Sequence, residues 1–279
     1  MTPDRVVVSG IDGGLLDPVT KDYDAARPAI AALARLRVPL VLCSSRPRAE
    51  VELVSRRFGL GAPMIVENGA ALVVPDGHLG HGVPGGRPDG DWQVLQLGPP
   101  REKLREALAE VAAAARVKVR TATDLHEHTE PFALDREEDA LALAREAEAR
   151  GLRVARAERL YYLCGGADKG LAVRTLLSLY EREGRLPRAV ALGAWQVDLP
   201  MLRAVHRPIV LPGGDGRVEP WLAARLPRAE LAPHAGPEGW NDAVLAVLTG
   251  RRLAAVSSKG RGGFDLPEAD RELRLATRG

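Results

Sequence analysis

The stretch VVVSGIDGGLLDP, residues 6–18, decides the fold. A β-branched run from Val6 to Val8 leads through Ser9 and Gly10 to Asp12 and two glycines. Such a run ending at glycines is typical of a buried strand that enters a tight turn. The turn carries one acid where a spaced pair of acids would make a catalytic site, so the stretch is either an active site or the remains of one.

Alternating strand and helix patterns surround this stretch and continue after a long interruption. We predict strands at 5–11, 39–43, 64–66, 189–193 and 208–211, and helices at 23–36, 48–58, 169–183, 199–205 and 239–249. This rhythm predicts an α/β fold with a Rossmann-like parallel-sheet core. In such sheets the functional residues lie just past the carboxyl ends of the strands.

The interruption predicts a second, smaller α/β unit inserted in the core as a cap. It has predicted strands at 93–97, 117–121 and 131–134, helices at 101–115 and 137–150, and a strand or hairpin at 152–163. We assign 1–82 and 166–250 to the core, 83–165 to the cap, and 251–279 to a loosely held polar tail. The glycines at 82–90 and 165–166 are the expected hinges.

Composition excludes several classes of function. The 279 residues carry a formal net charge of +2, and arginines alternate with acids without forming a basic stripe, so no nucleic-acid partner is expected. No apolar stretch approaches the ~18 residues of a membrane span, so no membrane partner is expected. Two cysteines, Cys43 and Cys164, fit a reducing, cytoplasmic location, and both read as buried strand residues.

Five ordered motifs carry a family resemblance. They are GIDGGLLD at 10–17, LVLCSSR at 40–46, ENGA at 67–70, GADKG at 166–170 and GAWQVD at 193–198. Together they resemble the haloacid dehalogenase superfamily of phosphatases. With HEHTEPF at 126–132 and GPEGW at 236–240, they resemble the capped branch that includes mannosyl-3-phosphoglycerate phosphatase.

The resemblance implies a role for each motif. Members use an aspartate nucleophile, a second aspartate as acid and base, a hydroxyl and a lysine on the phosphoryl group, and Mg²⁺ held by two acids and a backbone carbonyl. The corresponding positions here are Gly10 for the nucleophile, Asp12 for the acid/base, Ser44, Arg46, Asn68 and Lys169 for the substrate, and Ala194, Val197 and Asp198 for the metal. Glycine cannot form an aspartyl phosphate, and Asp198 is only part of a metal site. No cofactor is therefore expected, although active relatives use Mg²⁺.

We consider three functions, and leave open whether the chain is an enzyme. The leading hypothesis is a degenerate phosphatase that binds phosphate, a phosphorylated or anionic small molecule, or a protein partner, with little or no standard turnover. The second is an active hydrolase of sugar phosphates or phosphoglycerates that uses Asp12 with rearranged acids. The third is a non-catalytic scaffold that docks a protein through the cap.

Each candidate residue also has a purely structural interpretation. Asp12 can cap its turn and Asp198 the helix that follows it, while Lys169 can be a surface residue of its helix. Trp195 is expected to plug the former metal site, and His126 and His128 to be solvated or to face the substrate. Ser9 is expected to face the opposite side of its strand from Gly10, so it is a poor replacement nucleophile.

Overall fold

The computed structural model describes residues 5–122, 125–157 and 160–256. The strands are β1 (Arg5–Ser9), β2 (Leu40–Cys43), β3 (Met64–Val66), β4 (Ala71–Pro75), β5 (Arg87–Asp89), β6 (Trp92–Gln96), β7 (Val119–Thr121), β8 (Glu130–Leu134), β9 (Arg153–Ala157), β10 (Leu160–Cys164), β11 (Arg188–Gly193), β12 (Arg207–Val210), β13 (Glu230–Leu231) and β14 (Ala254–Ala255). The helices are α1 (Arg27–Arg35), α2 (Arg48–Arg57), α3 (Arg101–Ala115), α4 (Asp139–Glu148), α5 (Lys169–Arg182), α6 (Leu199–Arg203), α7 (Pro220–Arg225) and α8 (Gly236–Leu248).

A ten-stranded sheet forms the core, in the order β14-β13-β12-β11-β1-β2-β3-β4-β6-β5. The strands from β13 to β3 run parallel, with β1 between β11 and β2 at its centre. This arrangement confirms the predicted α/β fold with a parallel-sheet core. It also brings the carboxyl ends of β1, β2, β3 and β11 to one edge.

Hydrophobic clusters cover both faces of this sheet because successive side chains of a strand point to opposite sides. Val7 packs with Ile30 and Trp240 on the face covered by α1 and α8. Val8 packs with Leu176 and Met201 on the face covered by α5 and α6. The core is therefore a three-layer sandwich with the sheet in the middle.

A smaller four-stranded antiparallel sheet, in the order β7-β8-β10-β9, forms the centre of the cap with α3 and α4. A third hydrophobic cluster lies between these helices and strands, including Leu104, Leu108, Phe132 and Leu143. The cap thus has apolar packing of its own.

Two placements predicted from sequence are wrong. The strand predicted at 93–97 within the cap is β6, which pairs antiparallel with β4 and extends the core sheet. Residues 82–90 consequently form a core loop that leads into β5, rather than a hinge. The chain passes between core and cap near Pro99 and Gly165, where a Cβ on Gly165 would lie 2.1 Å from Pro99 Cδ.

The beginning of the predicted tail is also held in place. β14 pairs with β13, and the carboxylate of Glu230 accepts hydrogen bonds from Leu253 N and the Arg252 guanidinium. Residues beyond 256 lie outside the described part of the chain. The division of the chain into separate core, cap and tail domains remains a prediction. Among the described helices, none has the length and apolar character needed to cross a membrane.

Candidate functional site

The predicted site residues come together at the carboxyl edge of the parallel strands. Ser44 follows β2, Asn68 follows β3, and Gly10 follows β1. The backbone N–H of Asn68 donates to the Ser44 carbonyl at 2.9 Å, and the N–H of Gly10 donates to Leu192 O at 3.0 Å. These hydrogen bonds continue the pairing of neighbouring strands past their carboxyl ends. They hold the segments that follow β1, β2 and β3 side by side.

Gly10 faces the carboxylate of Asp198. A Cβ built on Gly10 would lie 3.6 and 3.7 Å from the two Asp198 carboxylate oxygens, which is ordinary contact distance. Residue 10 therefore has room for a side chain, and that side chain would point at Asp198. Ser9 faces the other way, as predicted, and its hydroxyl accepts a 2.8 Å hydrogen bond from the buried indole of Trp240.

The Asp12 side chain forms a clamped ion pair instead of capping its own turn. Arg46 donates to both carboxylate oxygens, from Nε at 2.8 Å and from Nη2 at 2.6 Å, and Lys21 Nζ donates at 2.9 Å. Burial alone would raise the pKa of Asp12, but the hydrogen bonds and charges of Arg46 and Lys21 outweigh it and lower the pKa. Asp17, by contrast, caps the next turn, where its carboxylate accepts from Val19 N and Thr20 N.

Lys169 and Asp198 form a buried ion pair. Lys169 is the first residue of α5, and its Nζ donates to Asp198 Oδ1 at 2.7 Å. Burial disfavours the ammonium, but the charge of Asp198 outweighs this and raises the pKa of Lys169. The other Asp198 oxygen accepts from Ala194 N and Trp195 N. Asp198 therefore does not cap α6 with its side chain, contrary to expectation.

Trp195 covers the glycine turn from outside and is not a buried plug. Half of its surface is exposed, and its indole N–H donates to the Asp12 carbonyl at 3.0 Å. Gly13 adopts a φ of +78°, and a Cβ there would lie 2.9 Å from the indole nitrogen. The ring can lie this close only because residue 13 has no side chain.

The oxygen donors at this edge do not fit a Mg²⁺ ion. Mg²⁺ requires near-octahedral oxygen ligands at about 2.1 Å. Gly10 and Ala194 offer no side-chain oxygen, both Asp198 oxygens accept protein hydrogen bonds, and the Asp12 carbonyl accepts from Trp195. N–H groups thus engage the oxygen atoms that a metal would need.

Ser44 and Asn68 provide uncharged polar groups beside these ion pairs, and both residues are buried. The Ser44 hydroxyl accepts from Arg46 N at 3.1 Å. Asn68 has a left-handed φ of 60°, a conformation that asparagine tolerates. Its side-chain nitrogen and oxygen have no hydrogen-bond partner within the described residues. A buried amide in this state favours a bound polar group or water.

The cap reaches the same edge through residues 126–129. His126 Nε2 lies 3.3 Å from the Ser45 carbonyl, and Glu67 accepts hydrogen bonds from the backbone of Glu127, His128 and Thr129. Both histidines are buried, so they are not solvated, and the alternative that they face the substrate stays a prediction.

Sequence reasoning missed two residues of this region, Glu67 and Lys21. Glu67 stands in the quoted ENGA motif, but its contact with the cap depends on tertiary packing. Lys21 has a left-handed φ of 58°, and it reaches Asp12 by folding back over the turn. Cys43 and Cys164 are buried free thiols, as predicted, and burial raises the pKa of Cys43 to about 12.

Comparisons with known proteins agree with this architecture. Residues 7–79 match the family described as haloacid dehalogenase-like hydrolase. The chain is 30% identical over 266 residues to a glucosyl-3-phosphoglycerate/mannosyl-3-phosphoglycerate phosphatase of Methanococcoides burtonii, covering 88% of this chain and 97% of the relative. It is 31% identical over 231 residues to a mannosyl-3-phosphoglycerate phosphatase of Pyrococcus furiosus, covering 77% and 93%.

A solved structure shares the fold. A Thermoplasma acidophilum protein superposes with a TM-score of 0.67 at 20% identity, covering 85% of this chain and 95% of that one. The chain belongs to the haloacid dehalogenase-like hydrolase family, within the capped phosphatase branch that includes the mannosyl-3-phosphoglycerate phosphatases.

Proposed function

We propose that this chain is a degenerate phosphatase that binds a phosphorylated or anionic metabolite with little or no Mg²⁺-dependent turnover. The observation that carries the proposal is Gly10, which stands at the nucleophile position beside Asp198. Without a carboxylate at residue 10, the aspartyl-phosphate step of the family has no attacking atom.

The state of the remaining acids supports the same conclusion. Asp12 is held ionised by Arg46 and Lys21, and its pKa is lowered. A group with a depressed pKa is a poor proton donor to a leaving group near neutral pH. This disfavours the alternative of an active hydrolase in which Asp12 works with rearranged acids.

The binding half of the proposal rests on Ser44, Asn68 and Lys169. A hydroxyl, an amide whose N–H₂ has no partner among the described residues, and an ammonium are suitable partners for the oxygens of a phosphate. Lys169 shares its charge with Asp198, so we expect modest affinity in which the Asn68 amide contributes part of the recognition. The relatives' names point to a phosphoglycerate glycoside as the class to try first.

The experiment is calorimetric titration of inorganic phosphate and of mannosyl-3-phosphoglycerate, without metal, into the unmodified protein and into Asn68→Asp. Aspartate keeps the size of the side chain and tolerates the left-handed backbone, but places a negative charge against the ligand. We expect affinity to fall at least about tenfold, the effect of roughly 1.4 kcal/mol.

Asn241→Asp is the matched control. The Asn241 side-chain oxygen accepts from Ala29 N at 3.0 Å, and aspartate preserves that acceptor. The binding proposal is wrong if neither ligand binds the unmodified protein, or if Asn68→Asp and Asn241→Asp bind equally well. Docking of a protein partner through the cap remains a prediction.

A further inference from the structure

Trp195 presents a large apolar surface at the edge of the site. Half of the residue is exposed, whereas Trp240 is fully buried. All three polar groups of Trp195 are engaged, because the indole N–H donates to the Asp12 carbonyl, the backbone N–H donates to the Asp198 carboxylate, and the backbone carbonyl accepts from Asp198 N. What Trp195 offers to a ligand is therefore the hydrocarbon surface of its ring.

The ring is held in one orientation before any ligand binds. Its N–H edge lies against the glycine turn, since a Cβ on Gly13 would lie 2.9, 3.0 and 3.1 Å from Nε1, Cζ2 and Cε2. The hydrogen bond to Asp12 fixes the same edge at 3.0 Å. An aromatic side chain that is already ordered loses little conformational entropy on binding, so an anchored and exposed tryptophan is a favourable contact surface.

The ring lies beside the groups proposed to hold a phosphate. The carboxylate of Asp198 accepts from Trp195 N through Oδ2 at 3.1 Å and from Lys169 Nζ through Oδ1 at 2.7 Å. One carboxylate thus separates the two residues. The cap strand β9 contacts residues 196–198, so this segment lies where the core meets the cap. A small molecule whose phosphate lies at Lys169 can therefore reach the ring with its remaining part.

The surroundings of the ring suit a sugar. A pyranose has a face of C–H groups, which stacks on the electron-rich face of an indole, and an edge of hydroxyls, which need hydrogen-bond partners. Gln196 follows Trp195 in the chain and supplies a half-buried amide. The Lys21 ammonium binds the same residue, Asp12, that the indole binds. An apolar platform and partners for hydroxyls are thus side by side.

We propose that Trp195 is a specificity-determining residue, a platform on which the pyranose ring of a phosphorylated ligand stacks. The inference rests on the proposed function for the phosphate end of that ligand, and it adds the residue that recognises the sugar end. Because Trp195 contacts only the sugar in this arrangement, its loss weakens the binding of a glycosylated phosphate and spares that of the same phosphate without the sugar.

The test is calorimetric titration, without metal, of mannosyl-3-phosphoglycerate and of 3-phosphoglycerate, which lacks the sugar, into the unmodified protein and into Trp195→Leu. Leucine keeps an apolar side chain but has no aromatic face. We expect the affinity for the mannosyl ester to fall at least about fivefold, and that for 3-phosphoglycerate to stay within about twofold. An equal loss for the two ligands would show a structural role and overturn the platform.

Trp221→Leu is the matched control, since Trp221 is also partly exposed and its ring lies under the Arg225 guanidinium at 4.0 Å. Both ligands should bind this variant as tightly as they bind the unmodified protein. A selective loss of the mannosyl ester here as well would contradict the assignment to Trp195.

Adenosine 5′-monophosphate tests the choice of a sugar over an aromatic base. It should bind no more tightly than inorganic phosphate. Tighter binding that is lost in Trp195→Leu would assign the platform to a base and overturn the sugar.

The indole N–H signals of the ¹⁵N-labelled protein separate failure of the platform from failure of the proposed function. Methyl α-mannopyranoside carries no phosphate, and it should shift the Trp195 signal, identified by its loss in Trp195→Phe, while the signal of the buried Trp240 stays in place. If neither phosphate ligand binds, the proposed function is wrong, and this shift alone decides whether the platform stands. A Trp195 signal that moves with neither mannosyl compound overturns the platform.

Discussion

At the scale of single residues, the site is governed by how each charge is compensated. Asp198 is paired with Lys169 and two backbone N–H groups, and Asp12 is paired with Arg46 and Lys21. Each acid already has partners that hold its negative charge. A further carboxylate at residue 10 would therefore face Asp198 without any cation of its own.

Gly10→Asp alone should destabilise the protein by about 1–3 kcal/mol, because its carboxylate would lie beside that of Asp198. Urea unfolding at neutral pH measures the change. Gly10→Asn has nearly the same size without the charge, and it should cost clearly less. Equal losses for the two variants would show that size and not charge decides the outcome.

Asp12→Asn tests the clamped carboxylate through pH. Because the folded pKa of Asp12 lies below its ordinary 3.8, its contribution to stability is complete above that value and is lost as pH falls through the folded pKa. We expect a loss of about 1–2 kcal/mol at pH 7 that shrinks as the pH is lowered below about 4. Urea unfolding across this range measures it.

Asp135→Asn is the control, since Asp135 pairs with Arg120 on the surface and should contribute little at either pH. A loss in Asp12→Asn that stays constant from pH 7 to pH 2 would contradict the account of the ion pair.

The sequence predicts where the site residues lie in the fold better than it predicts which side chains they bind. Ser44 and Asn68 follow apolar strands, and parallel strands bring such positions to one edge. The pairing of Lys169 with Asp198 joins residues 29 apart, and it depends on how α5 packs against the end of β11. The apolar spacing of the sequence does not predict this pairing. It also does not predict that the Trp195 ring lies over Gly13.

At the scale of elements, the start of α5 positions Lys169. Asp168 has extended backbone torsions, and its side chain accepts from Leu171 N at 2.6 Å, which is an N-cap contact. The helix therefore begins at Lys169 and directs that residue into the sheet edge.

Asp168→Ala should lower stability by about 1 kcal/mol, since the N-cap loses its acceptor. Asp168→Ser restores an acceptor and should recover most of the loss. Thermal or urea unfolding measures both variants. If alanine costs nothing, or if serine is no better than alanine, then the cap does not define the start of α5.

Helices and central strands were predicted well because apolar spacing records burial along one element. The placement of β6 failed for a different reason. The sequence of a short strand does not show which sheet the strand joins. Only the pairing with β4 assigns residues 92–96 to the core. The strands β4, β5, β13 and β14 and the helix α7 were not predicted from sequence.

At the scale of the whole molecule, core and cap have separate hydrophobic clusters connected by polar contacts. Leu108 lies in the cap cluster, whereas Val7 and Val8 belong to the two core clusters. A substitution that opens a cavity in one cluster should therefore destabilise only the domain that contains that cluster.

Leu108→Ala should destabilise the cap by about 2–5 kcal/mol through the cavity it leaves. Hydrogen exchange should accelerate in α3 and α4 and remain slow in β1 and β11. Leu176→Ala, in a core cluster, is the reciprocal control. Equal acceleration in both units after Leu108→Ala would mean that core and cap unfold as one.

The most direct test of the central claim is the turnover number of the unmodified protein, with Mg²⁺, on p-nitrophenyl phosphate and on mannosyl-3-phosphoglycerate, with Asp12→Ala assayed in parallel. The account predicts no turnover above that of Asp12→Ala with either ester. A kcat of about 1 s⁻¹ or more, the low end for ordinary enzymes, that disappears in Asp12→Ala would contradict it and make Asp12 the working group of an active hydrolase.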